Sequence, residues 1–122
     1  MLARSIDVAI AAYRVFEDTA TLSCFGLAFQ GALEADTGQV MVSERSEVVR
    51  EPPLADQSIA SRFDYGIAPP GRRAAESRRL FQVTILRKGR GLALLFVANS
   101  GEPFPEAERQ RLATTLAGRL PS

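Results

Sequence analysis

Leu80-Phe-Gln-Val-Thr-Ile-Leu86, Arg87-Lys-Gly-Arg-Gly91 and Leu92-Ala-Leu-Leu-Phe-Val-Ala98 follow one another without a break, and how they pair decides the fold. In the first run Phe81, Val83 and Ile85 alternate with Gln82 and Thr84. Period two in β-branched and aromatic residues is the pattern of a half-buried strand. The link that follows carries Gly89 and Gly91, which supply the positive φ of a tight reversal. The second run is apolar at every position, which predicts a central strand covered on both faces. It is too short for a buried helix, and Gly91 and Asn99-Ser100-Gly101 bound it as turns bound a strand.

Glu102-Pro-Phe-Pro105 then redirects the chain. Pro105 suits a first helical turn, where a missing N–H costs nothing. Glu106 and Glu108 sit near the positive end of the helix dipole, and Arg119 near the negative end. Leu112, Leu116 and Leu120 recur every fourth residue with Ala113 and Ala117 beside them, and Gly118 and Pro121 end the pattern. The leucine stripe predicts a helix roofing the sheet.

Upstream the periodicities are weaker. Leu2, Ile6, Ala9, Tyr13 and Phe16 share a helical face, while Val8, Ile10 and Ala12 alternate, so residues 2–16 fit a helix or a strand. Glu17-Asp18-Thr19 breaks the pattern. Phe25, Leu27 and Phe29 then alternate with Leu22, Cys24 and Ala28, predicting a strand over 20–30 with Gly26 at a bulge or a close backbone approach. In such a strand Cys24 is a small buried hydrophobe. Asp36-Thr37-Gly38 reads as a turn, Val40–Val42 and Glu47–Arg50 as short strands, and 54–63 as a short helix through Ala55, Ile59 and Phe63. Residues 64–79, with Pro69-Pro70-Gly71 and four arginines, read as a long loop.

No helix separates the two strong strands, so parallel crossovers are excluded and short connections favour antiparallel pairing with helices on one side. The expectation is one α+β domain over residues 1–122: an antiparallel sheet of about five strands with N- and C-terminal helices packed on it.

Composition narrows the chemistry. Hydrophobic content of 46% with 24% charged residues fits a soluble globular protein. No apolar window reaches membrane-spanning length, and Asp7 interrupts any signal-peptide core, so neither a membrane span nor a leader is expected. A single cysteine allows no internal disulfide and makes the cytoplasm the default compartment. The chain has no histidine, which removes the Ser-His-Asp triad, the Cys-His pair, ordinary zinc sites and His-ligated haem. No acid lies in an apolar run where burial would tune it for acid catalysis. A non-catalytic protein without a cofactor is expected.

Charge is unevenly spread. Arg72, Arg73, Arg78, Arg79, Arg87, Lys88 and Arg90 face a single acid, Glu76, between Gly71 and Gly91. The rest of the chain sets eight arginines against thirteen acids. The ordinary account of such a cluster is a solvated loop and hairpin tip. The functional accounts are an acidic face on a protein partner, or nucleic-acid phosphates. Interleaved aromatic residues would favour single-stranded nucleic acid, and only Phe81 is near, pointing inward by its alternation.

From Gly91 to Ala117 the order is apolar strand, short gap, Phe104, acids at Glu106 and Glu108, and a helix ribbed by Leu112 and Leu116. This resembles the end of GAF-type sensory domains. The resemblance implies an antiparallel sheet flanked by helices and a regulatory role; it carries over no ligand-binding residue. The element order is also similar to that of bacterial secretion chaperones, small dimers that hold an effector segment. The functional expectation is therefore a regulatory or adaptor module that binds protein, as a homodimer joined through leftover apolar surface on the N-terminal helix. Small-molecule sensing and nucleic-acid binding through Arg72–Arg90 are the alternatives.

Overall fold

A computed structural model describes residues 1–121, all but Thr19 with their side chains. The order is α1 (Ile6–Glu17), α2 (Thr19–Thr37), β1 (Val40–Val49), β2 (Gln57–Ala68), β3 (Ser77–Lys88), β4 (Gly91–Ser100) and α3 (Glu106–Gly118). The four strands form one antiparallel meander, β1-β2-β3-β4. The class is α+β as expected, with four strands where about five were expected.

The N-terminal pattern resolves as a helix. Ser5 caps α1 by accepting the Val8 N–H. Asp18 ends α1 and starts α2, its carboxylate accepting from the Ala20 N–H at 2.8 Å. The expected strand over 20–30 is helical instead. Leu22, Phe25, Gly26, Phe29 and Leu33 fall at a helical period and turn one face to the sheet, where Leu33 is buried and Phe25 and Phe29 pack on the core. Gly26 is a buried helical residue facing Phe63 and Tyr65, and a Cβ there would meet them at ordinary van der Waals distance, so neither the expected bulge nor an unusually close approach is present. Cys24 lies off that face and is exposed, which corrects its assignment to the interior. Gly38, with φ 67°, stops α2 in the left-handed region.

The two short strands expected at 40–42 and 47–50 are one strand, β1, with a register shift between Met41 and Ser43. The expected helix over 54–63 is overturned: Ile59, Ser61, Phe63, Tyr65 and Ile67 alternate inward along β2. The expected loop over 64–79 shrinks to residues 69–76, because β2 runs on to Ala68 and β3 begins at Ser77. The strong strands pair as expected from Arg79↔Ser100 to Lys88↔Gly91. Only Gly89 and Arg90 remain in the turn. Gly89 has φ 55° and Arg90 does not have a positive φ, which is the pattern of a type II′ hairpin.

Cross-strand partners share a face. Phe63, Tyr65 and Ile67 therefore lie with Phe81, Val83 and Ile85 and with Leu92, Leu94 and Phe96, and α1 and α2 cover them. Leu86, Ala93 and Leu95 occupy the other face under α3. Helices thus pack on both faces, not on one side. The α3 residues closest to the sheet are Arg109, Ala113 and Ala117, while Leu112, Leu116 and Leu120 are half-buried at its flanks. The expected roof is present, turned so that small residues meet the strands and the backbones come close.

Candidate functional site

The apolar run 92–98 is an edge strand, not the central strand its composition predicts. One half is covered: α1 and α2 reach Leu92, and α3 reaches Ala93 and Leu95. Leu94 is 48% and Phe96 44% exposed, and Ala98 beside them is exposed too. No charged residue lies between Gly91 and Ser100. The opposite edge, β1, carries Glu44, Arg45 and Glu47, all exposed, which is the usual way an edge is kept from pairing with other chains.

Met1–Ala3 occupies the first part of the β4 edge. The Leu92 N–H donates to the Met1 carbonyl at 2.8 Å, the Met1 ammonium donates to the Leu92 carbonyl at 2.8 Å, and the Ala3 N–H donates to the Arg90 carbonyl at 2.9 Å. These bonds fix which way the β4 amides point. Along a strand alternate residues turn their N–H and C=O to the same side. Leu92 turns both outward, so Leu94, Phe96 and Ala98 do as well. The residues with outward backbone groups are thus the same ones with exposed apolar side chains. Beyond them the Ser100 N–H is taken up by the Asn99 side chain at 3.0 Å.

Behind this edge runs a line of rings. Phe16, Phe25 and Phe29 stack in turn, and Phe29 lies 5.2 Å from both Phe81 and Phe96. Offset aromatic packing of this kind holds Phe96 in place although half its surface is free. Phe29, Phe81 and Phe96 floor an open cavity of about 610 Å³ with Arg79 and Asp36 on its rim. Tyr65 ties α2 to the sheet by donating its hydroxyl to the Gly26 carbonyl at 2.8 Å. Burial, with Glu44 adding to it, pushes that hydroxyl up to about 12, so it stays a donor.

The face under α3 is polar at its centre. Arg109 is fully buried. It donates to Thr84 Oγ1 at 3.0 Å, to Glu51 Oε1 at 3.1 Å and to Glu106 Oε2 at 2.9 Å. Glu106 also accepts from Arg62 and Gln82 at 2.9 and 2.8 Å. Burial alone would raise the Glu106 carboxyl, but the Arg109, Gln82 and Arg62 hydrogen bonds and the Arg109 charge outweigh it and hold it below the usual carboxylate range. Burial would likewise lower Arg109, and Glu51 and Glu106 more than offset it. Arg109 and Glu106 each have an oppositely charged partner, so the network clamps α3 and the 50–52 segment to the sheet.

The seven cations of the Arg72–Arg90 segment do not form one patch. Arg72 and Arg73 are exposed in the β2–β3 loop, and Arg78 pairs with Asp64 on the face under α3. Arg79 lies on the opposite face at the cavity rim. Arg87 is only 8% exposed and donates to the Gly89 carbonyl at 2.8 Å, near Asp56. Lys88 and Arg90 stand at the hairpin tip, where Arg90 reaches the Arg4 carbonyl. Ten residues of strand, about 33 Å, separate Arg78 from Lys88. The N-terminal helix does expose Ile6, Val8 and Val15, the leftover apolar surface foreseen there. The free β4 edge was missed, and its signal was the same doubly apolar run that placed the strand at the centre. Among the described residues no helix is long and apolar enough to cross a membrane. No protein-family model, curated protein or solved structure matches the chain.

Proposed function

We propose that this chain is a non-catalytic regulatory or adaptor module that binds protein by strand addition along β4. The observation that carries this is the coincidence, at Leu94, Phe96 and Ala98, of outward backbone groups with exposed apolar side chains. Strand addition needs both: main-chain hydrogen bonds supply affinity and alternate side chains supply specificity. A rigid aromatic layer behind Phe96 keeps the edge preorganised, which lowers the ordering cost of binding. The arginines, divided between two ends and two faces, give an acidic partner face or a nucleic acid no single surface to meet. A direct test is affinity capture with the wild-type chain and with Leu94→Lys, which places a charge on the edge. Partners retained by both alike would refute strand addition.

A second reading has its own observation. The cavity floored by Phe29, Phe81 and Phe96 is within the size range of small-molecule sites, and Arg79 and Asp36 give it polar groups at the mouth. It fits the sensory alternative. Native mass spectrometry of freshly purified protein tests it, a bound mass lost in Phe81→Ala being the supporting result.

A further inference from the structure

We propose that the strand added to β4 is an extended segment of a partner protein carrying a tyrosine or tryptophan, then a small residue two positions on, then an aliphatic residue two positions after that. This rests on the strand-addition reading above and names the chemistry of the partner. Leu94, Phe96 and Ala98 turn their backbone groups outward, so an antiparallel strand sets one residue opposite each of them. Met1–Ala3 already pairs with β4 in that sense. The three facing residues alternate along the partner, so their side chains share the face that carries α1 and α2. The strap holds the Leu92 backbone groups, so the partner ends or turns away after the residue opposite Leu94.

The surface beside these positions is uneven, and its unevenness specifies the side chains. Ala98 is the smallest of the three, and its neighbour on β3 is Phe81. A side chain opposite Ala98 leans past one methyl group onto Phe81, Phe29 and Phe96, the floor of the 610 Å³ cavity. Those rings lie 5.2 to 5.7 Å apart and within 36° of parallel, a surface that suits another ring. Arg79 and Asp36 on the rim can meet a polar tip, which favours tyrosine or tryptophan over phenylalanine. Beside Leu94, on the same face, a second cavity of about 250 Å³ is lined by Met1, Phe16, Ile85 and Leu92. Its smaller volume and apolar walls suit an aliphatic side chain. Phe96 stands between the two cavities, 44% exposed, and a small residue opposite it avoids crowding that ring. Leu94 and Ala98 are about 13 Å apart along the strand. An extended chain spans that distance, enters both cavities and meets the backbone groups between them.

The experiment uses the full chain to select from a displayed library of random peptides. Enrichment of tyrosine or tryptophan, a small residue and an aliphatic residue at alternate positions is the expected result. The most enriched peptide is then synthesised and titrated by calorimetry. Replacing its aromatic residue by alanine should weaken binding about tenfold or more. Ala98→Phe occupies the space the aromatic anchor needs and keeps every β4 backbone group, and it should weaken binding to a similar extent. Ala98→Pro removes one outward N–H and no bond to β3, as edge strands tolerate, and should weaken binding too. Circular dichroism and the urea midpoint, followed for both variants, should stay put. Enriched peptides without this spacing, or with affinity indifferent to Ala98→Phe, overturn the proposal; if Ala98→Pro still weakens them, strand addition stands. Binding indifferent to Ala98→Pro and to Leu94→Lys alike sinks strand addition as well. A selection that enriches no peptide over a control without the chain overturns the proposal and leaves strand addition to the affinity capture.

Discussion

Arg109→Ala should be the most damaging single change on the α3 side of the sheet. Arg109 is 0% exposed, and its removal strands a carboxylate, Glu51, whose side chain is itself only 7% exposed. Removing one partner of a buried ion pair costs about 3–5 kcal/mol, because the remaining charge is left without compensation. Two features move the expectation toward the lower end. Glu106 keeps Arg62 and Gln82, and Glu51 keeps one donor, Gln110 Nε2 at 3.0 Å. A loss of about 3 kcal/mol follows, or roughly 12 °C in melting temperature for a domain of this size. The double variant Arg109→Met with Glu51→Gln removes both charges and fills most of the space, so it should lose about 1 kcal/mol or less. Urea denaturation followed by circular dichroism gives both values, with the slope checked for constancy. An Arg109→Ala loss below about 1 kcal/mol, or a double variant as damaged as the single one, would refute the account of Arg109 as a charge held in place by Glu51.

Other perturbations follow from the same geometry. Glu106 has its folded pKa below its ordinary 4.5, so its contribution is complete above 4.5 and is lost as pH falls through the lower folded value; Glu106→Gln should flatten the acid side of a urea-midpoint profile taken between about pH 6 and pH 3. A Cβ on Gly66 would run into the Ser43 hydroxyl and come 2.8 Å from the Ala75 Cβ, so Gly66→Ala should cost about 1–3 kcal/mol in chemical denaturation, with part recovered by Ser43→Gly or Ala75→Gly. Ala113 is fully buried against the sheet, and Ala113→Leu should push α3 outward at a similar cost, seen as a lower urea midpoint. Phe29 joins α2 to Phe63, Phe81 and Phe96, and Phe29→Ala should lose about 3 kcal/mol, the low end for phenylalanine truncation because its ring is only partly buried.

What could be read from the sequence was set by how many patterns each stretch satisfies. Residues 80–86 satisfy only the strand pattern, and the proline, acids and alanines after Glu102 satisfy only a helix. Both stand where expected. Residues 20–30 satisfy two patterns, since Phe25, Leu27 and Phe29 alternate while Leu22, Phe25, Gly26 and Phe29 also repeat at helical spacing. The discriminating feature was composition: among those residues only Thr21 is β-branched, and alanine and serine favour a helix over a strand. Residues 54–63 erred the other way, because Ala55, Ile59 and Phe63 mimic a helical stripe. There the decisive alternation continues past the window through Tyr65 and Ile67. Arg109 was illegible for a different reason. A charge facing the sheet is stable only where Thr84, Glu51 and Glu106 converge on it, and that convergence is tertiary.

The misplacement of β4 is informative about function. A strand apolar on both faces implies cover on both faces, and that inference is physical, not statistical. Within residues 1–121 the chain supplies that cover to Leu92, Ala93 and Leu95 and leaves Leu94 and Phe96 half-exposed. Nothing in the fold requires this composition at an edge. β1, at the other edge of the same sheet, shows the composition that a lasting contact with water selects. The two edges share one backbone geometry and differ in side chains alone. The two edges therefore suit different surroundings: the charges of β1 suit water, and the apolar half-exposed side chains of β4 suit the added strand proposed above.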